Sequence, residues 1–126
     1  MSETKAKYIT VPKLLQKATT KFNAFIRKRD AGKPCISCGQ YTTLQAGHFY
    51  SGGHYPNLKF NEDNVHGQCK RCNYFLSGNL TQYEKNLRER IGGDRVEQLH
   101  ILAGWYKRNG HKWDRFALEE IIKNYK

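Results

Sequence analysis

Cys35-Ile-Ser-Cys38 and Cys69-Lys-Arg-Cys72, two pairs with the same two-residue gap and thirty residues between them, restrict what this chain can fold into more than any other feature. Two residues between thiolates let both sulfurs of one turn face a single ion about 2.3 Å away, with backbone N–H groups aimed at the sulfurs. Two such knuckles close a tetrahedral site, and Gly39 suits the tight turn that follows the first. Zn2+ is the expected ion; iron uses the same four-sulfur set. A site closed by four cysteines keeps no open position for water or substrate, so the metal is a structural staple and any chemistry must come from other side chains.

The chain has 126 residues, with 22 Lys and Arg against 11 Asp and Glu. That length fits one domain and excludes a large barrel or a two-domain nucleotide-binding enzyme. The excess is uneven: residues 1–34 carry net +7, residues 35–72 only +1, and residues 73–126 +3. A net charge of +11 points to a polyanionic partner, with phosphate attraction and site chemistry divided between segments. No stretch approaches the roughly 18 apolar residues of a membrane span, and the first ten residues lack the apolar run of a secretory signal. The expected compartment is intracellular, where thiols stay reduced, which again favours metal over disulfides.

Helical periodicity is clear at both ends. Val11, Leu14, Leu15, Ala18, Phe22, Phe25 and Ile26 fall on one helical face, with Thr10 as N-cap and Gly32 as the expected stop. Residues 35–72 are rich in turn-formers; Tyr41–Phe49 and Leu58–Phe60 are the best strand candidates and suggest a hairpin. Beyond Cys72, Thr81-Gln-Tyr-Glu84 and Asp94-Arg-Val-Glu97 read as capping boxes of two helices. Asp114 caps a last one, with Trp113 and Leu118 placed as a hydrophobic staple. The expected fold class is α+β: one domain over residues 1–126, comprising a basic N-terminal helix (1–34), a small metal-stapled core (35–80) and a C-terminal helical part (81–126).

Around the knuckles lie Gly47-His48-Phe49 on the first candidate strand, Asn64-Val-His66 shortly before Cys69, and Asn73 directly after Cys72. A strand-borne His, an Asn in the loop that follows, and a ligand at a helix start are the parts of a ββα-metal nuclease site. The pattern resembles the HNH endonucleases stapled by a four-cysteine zinc site, and more specifically the Rap (NinG) recombination proteins of lambdoid phages. The resemblance spans roughly residues 22–93, and Phe22-Asn-Ala-Phe-Ile-Arg27, Pro34-Cys-Ile-Ser-Cys-Gly39, Ala46-Gly-His48, Leu58-Lys-Phe-Asn61, Asn64-Val-His66, Gln68-Cys69, Cys72-Asn73 and Ser77-Gly-Asn79 carry it.

The resemblance implies a zinc-stapled ββα-metal core and a metal-dependent, structure-selective DNA endonuclease acting on branched recombination intermediates such as D-loops and Holliday junctions. It would be phage- or prophage-encoded and work in the bacterial host cytoplasm. His48 matches the general base, which deprotonates a water for in-line attack on phosphorus; an imidazole titrates near neutrality and suits that task. Asn73 matches the ligand of a catalytic Mg2+ (or Mn2+), and Asn64 the loop lock that orients the base. Many HNH enzymes carry Asp or His just before the base, where this chain has Gly47. A second ligand must then come from elsewhere: Gln45, Glu62, Asp63, His66 and Ser77 are in reach, with His66 favoured because it follows Asn64. The additional cysteine-bearing, lysine-rich leader common in relatives has no counterpart here, as expected of a short member of the family or a trimmed one.

DNA contacts are expected from Lys59, Lys70 and Arg71 together with the basic first helix, giving affinity without base specificity. Tyr50, Tyr55 and Tyr74 are available to stack on exposed bases. Cutting paired strands would favour a homodimer. The competing reading is a non-catalytic zinc module that binds DNA or a recombination partner; a third is an RNA-binding zinc knuckle.

Overall fold

The first helix, α1 (Val11–Arg29), buries Leu14, Ala18, Phe22 and Ile26, one stripe at four-residue spacing. The computed structural model that shows this describes residues 9–126. Thr10 caps the helix as expected, its hydroxyl accepting from the Lys13 N–H at 3.3 Å. The stop comes two residues before Gly32, at Asp30, whose side chain is tied to other groups. Its carboxylate accepts two bonds from the Arg29 guanidinium, at 2.8 and 2.9 Å, and the Gly67 N–H at 2.7 Å. Asp30 is fully buried. Burial opposes its ionisation, but the Arg29 guanidinium and the Gly67 N–H hold its pKa down at about 2. The stabilisation from this carboxylate is therefore complete above the ordinary Asp range and is lost only as pH falls towards 2.

Strands β1 (Leu44–His48) and β2 (Val65–Cys69) form a two-stranded antiparallel hairpin, with Leu44 opposite Cys69 and His48 opposite Val65. The hairpin is as expected but its second strand is not Leu58–Phe60. Pro56–Leu58 is a 3-10 turn, closed by the Leu58 N–H on the Tyr55 carbonyl at 2.9 Å. Leu58 and Phe60 are both buried, in different cores, which imitates the alternation of a strand. β2 is buried along its whole length although it reads Val-His-Gly-Gln-Cys. The Gln68 amide N–H groups are met, donating to the Ser37 hydroxyl at 2.8 Å and to the Gly78 carbonyl, whereas the Gln68 Oε1 and the His66 Nδ1 have no partner among the described residues.

After β2 comes a wide helical turn, Arg71–Phe75, and then α2 (Leu80–Ile91), α3 (Gly93–Asn109) and α4 (Arg115–Asn124). Neither expected capping box forms. α2 starts behind Asn79, which is left-handed at φ +44°, so Thr81 lies inside the first turn. Asp94 likewise lies within the first turn of α3. Glu84 and Glu97 instead share the Arg88 guanidinium, each at 2.7 Å. Asp114 does cap α4, accepting from the Ala117 N–H at 2.8 Å.

The hairpin separates two apolar cores. On one side Phe22 of α1 meets Phe60 and Tyr125 edge to face, with ring centroids 5.5 and 5.0 Å apart, and Leu118 of α4 completes the packing. On the other, Tyr83 and Leu87 of α2 and Val96 and Leu99 of α3 pack on Ile36, Phe49 and Leu58. The result is the expected α+β class, a small two-stranded sheet between helices. Among the described residues no helix is long and apolar enough to cross a membrane.

Candidate functional site

All four cysteine sulfurs lie within 4.8 Å of one another. The Cys38 and Cys69 sulfurs are 3.7 Å apart, and a tetrahedron with metal–sulfur bonds of about 2.3 Å needs an edge of about 3.8 Å. Three cysteines are buried and Cys38 is exposed. The knuckle amides point inwards: Cys38 N–H and Cys69 N–H donate to the Cys35 sulfur at 3.5 and 3.3 Å, and Cys72 N–H to the Cys69 sulfur at 3.5 Å. Burial disfavours the Cys35 thiolate, yet these N–H donors bring its pKa down to about 7, whereas burial pushes the Cys72 thiol up to about 12. The donor set, the spacing and the inward amides fit structural Zn2+. They leave no room for substrate.

At the opposite end of β1 is a cleft of about 430 Å³ lined by Ala46, His48, Ser51, Gly52, Asn73, Ser77 and Gly78. His48 and Asn73 thus meet in one cavity although 24 positions separate them in the chain. The His48 Nε2 is 2.9 Å from the Lys59 carbonyl oxygen, which can only accept, so Nε2 carries the proton and Nδ1 is the lone-pair nitrogen. Burial lowers the His48 pKa below the usual imidazole value, and the ring is neutral at pH 7. Asn73 follows Cys72 in the helical turn; its Nδ2 donates to the Gln45 Oε1 at 2.8 Å, which orients the carboxamide.

Asn64 is fully buried and does not line the cleft. Its Oδ1 accepts the Tyr50 N–H at 2.8 Å, and its Nδ2 donates to the Tyr50 and Leu58 carbonyls at 2.9 and 3.0 Å. Those bonds fasten the chain just after His48 to the turn that supplies Lys59. These are the backbone bonds that a loop lock would make.

His66 is a correction. It stands opposite Gly47, and His48 opposite Val65, so the two imidazoles leave opposite faces of the hairpin. His66 is buried, and burial with the Arg29 charge takes its pKa down to about 3. It does not line the cleft. Glu62 and Asp63 are also engaged elsewhere, with Tyr125 and Arg95. Gln45 holds Asn73, and Ser77 alone of the five second-ligand candidates lines the cleft.

Gly47 has a steric reason. A Cβ there would lie 2.0 Å from the Gln68 Oε1 and 2.6 Å from its Cβ. Gln68 is pinned by its own bonds, so it cannot give way cheaply. We expect Gly47→Asp to lower stability by about 1–3 kcal/mol or more through overpacking, read as a fall in thermal midpoint. An unchanged midpoint would refute this account of the glycine. Tyr83 adds a second restraint, donating from its hydroxyl to the Gly47 carbonyl at 2.6 Å.

Of the expected DNA-contacting residues, Lys70 and Arg71 are exposed in the second knuckle, while Lys59 is half-buried with its side chain lying along Gly52. Tyr74 and Phe75, directly after Asn73, are largely exposed at 73% and 67%. A larger cavity of about 700 Å³ adjoins the cleft and shares His48, Ser51 and Ser77 with it. In its lining the Tyr50 hydroxyl bonds the His100 Nδ1, and the His100 Nε2 donates to Glu84 at 3.2 Å. Reading the chain missed this trio: His100 and Glu84 sit on helical faces, and no local spacing ties them to Tyr50.

A family model described as Bacteriophage Lambda NinG protein matches residues 3–126. The chain is 43% identical to Protein ninG of Escherichia phage lambda over 113 residues, covering 88% of this chain and 53% of that protein. It is 42% identical to Protein ninG of Salmonella phage P22 over 108 residues, with 84% and 49% covered. Protein ninG of Escherichia phage 933W is 42% identical over 101 residues, with 79% and 48% covered. The chain spans about half the length of these curated relatives. No solved structure matches it.

Proposed function

The chain belongs to the bacteriophage lambda NinG family, and from that premise we propose that it is a metal-dependent, structure-selective DNA endonuclease with an HNH-like ββα-metal core, acting on branched recombination intermediates. The observation that carries the reading is the convergence of His48 and Asn73 in one cleft of a fold that also gathers four cysteines into one cluster.

In this reading a phosphodiester enters the cleft from a strand drawn in by Lys70, Arg71 and the cationic surface of α1. His48 takes a proton from water on its free Nδ1 while Nε2–H stays on the Lys59 carbonyl. That bond fixes the ring plane and stabilises the imidazolium that forms. Asn64 and Tyr83 hold the strand end still, so the nitrogen does not wander. The Asn73 Oδ1, left open when its Nδ2 turns to Gln45, is the oxygen that would hold Mg2+ or Mn2+. Such an ion, when bound, offsets charge on the phosphate and on the departing 3′ oxygen.

One observation favours the second reading, a non-catalytic zinc-binding module for DNA or a recombination partner: no carboxylate lines the cleft among the described residues. Incubating wild-type protein with a synthetic four-way junction and with linear duplex, each with and without Mg2+, separates the two. The endonuclease reading expects nicks that need Mg2+ and favour the junction; binding indifferent to Mg2+ with no nick under Mg2+ or Mn2+ rejects it.

The rate should also follow the base. The neutral imidazole is the active form and its pKa is lowered by burial, so kcat/KM should rise with pH through a midpoint below 6.5 and stay level from pH 7 to 8. A midpoint above 7 would remove His48 from that role.

A further inference from the structure

We propose that the cavity of about 700 Å³ beside the cleft receives one unstacked nucleotide of the substrate strand, the neighbour of the phosphodiester held between His48 and Asn73. The inference rests on the phosphodiesterase reading and adds to it how the strand is seated. Because His48, Ser51 and Ser77 line both spaces, a strand whose phosphate lies in the cleft has its adjoining sugar and base in the cavity.

The lining has the chemistry of a base platform. The Tyr50 and Tyr55 rings meet at 4.7 Å, His54 lies beside them, and the Lys107 ammonium stands 5.1 Å over the Tyr55 ring. Aromatic faces take any base by stacking, and a nearby cation suits the phosphate that accompanies it. The wall is also set in advance. Tyr50 is held at its backbone by Asn64 and at its hydroxyl by His100, which Glu84 holds in turn. A preorganised wall loses little entropy when the base arrives. A base inside a continuous duplex cannot reach this cavity without leaving its stack, and the cost is smallest where the strand is already unpaired. Selection for flaps, gaps and branch points then follows from the cavity itself, with no base-reading helix.

The test uses full-chain protein with Mg2+. The cut phosphate is first mapped on a flapped oligonucleotide, and a single abasic residue is then introduced at each neighbouring position. One flanking abasic residue should slow cutting about tenfold and the others less than twofold. Tyr55→Leu should slow the intact substrate about tenfold and the abasic one hardly at all, the non-additivity of two partners in contact. His54→Ala, on an exposed loop where folding is not at stake, should give the same pattern at about threefold. Equal rates with an abasic residue at every position, or effects of variant and abasic residue that simply multiply, overturn the proposal. If wild type cuts no DNA, the phosphodiesterase reading fails by itself. Fluorescence anisotropy with the same intact and abasic single strands then decides the cavity: weaker abasic binding that Tyr55→Leu equalises supports it, and equal binding in wild type refutes it.

Discussion

His48→Ala should cut junction DNA at least 10²- to 10⁴-fold more slowly than wild type, the range spanned by loss of a positioned general base, while its affinity for that DNA changes less than twofold. The separation of rate from binding is expected because the imidazole faces the cleft, whereas Lys70, Arg71 and the lysines of α1 lie elsewhere on the surface. Removing the ring also strands the Lys59 carbonyl, an effect on folding worth about 1–3 kcal/mol. His48→Gln distinguishes the two consequences. A glutamine amide can still donate to that carbonyl but is no base at neutral pH. The glutamine variant should therefore melt closer to wild type and remain as slow as the alanine variant. Nicking by either variant within threefold of wild type ends the assignment of His48.

Stripping the metal from the cysteine cluster should unfold the protein. Structural zinc in small domains supplies about 10–16 kcal/mol at neutral pH, comparable with the roughly 5–15 kcal/mol by which a folded domain is stable. The cysteines also sit where loss would be felt: Cys35, Cys69 and Cys72 form a small buried cluster of their own, with Leu44 packed against it. Chelation at pH 7 should release about one zinc ion per chain and abolish the cooperative thermal transition, and Cys72→Ser should do the same without chelator. A chelated protein with an unchanged melting curve would mean that the four sulfurs are merely neighbours.

What was legible in the chain was what local spacing encodes. The two Cys-X-X-Cys pairs specify their own turns, α1 announces its face through Leu14, Ala18, Phe22 and Ile26, and Thr10 and Asp114 cap through local bonds to the N–H groups of Lys13 and Ala117. Where long-range bonds compete, local signals fail. Thr81 and Asp94 are good caps passed over because Glu84 and Glu97 are held by Arg88. β2 reads as a polar loop, since the bonds that make Gln68 tolerable come from Ser37 and Gly78, far away in sequence. The candidate site divides in the same way. The resemblance singled out His48, Asn64 and Asn73, and the structure brings His48 and Asn73 to one cleft. His66, favoured only as a second metal ligand, is put on the other face by strand register. The glycine before His48 is explained only once Gln68 is seen across from it.

The register of the hairpin carries a kinetic corollary. Leu44 lies opposite Cys69 at one end and His48 opposite Val65 at the other, so four residue steps, about 13 Å, join the sulfur cluster to the imidazole. So short a ladder has no middle that can stay zipped while one end frays. Strain at the cysteines, short of loss of the metal, would be felt at the far end as a mis-set imidazole, and the deuterium uptake of the Gly67 amide, tethered to Asp30, would serve as its clock.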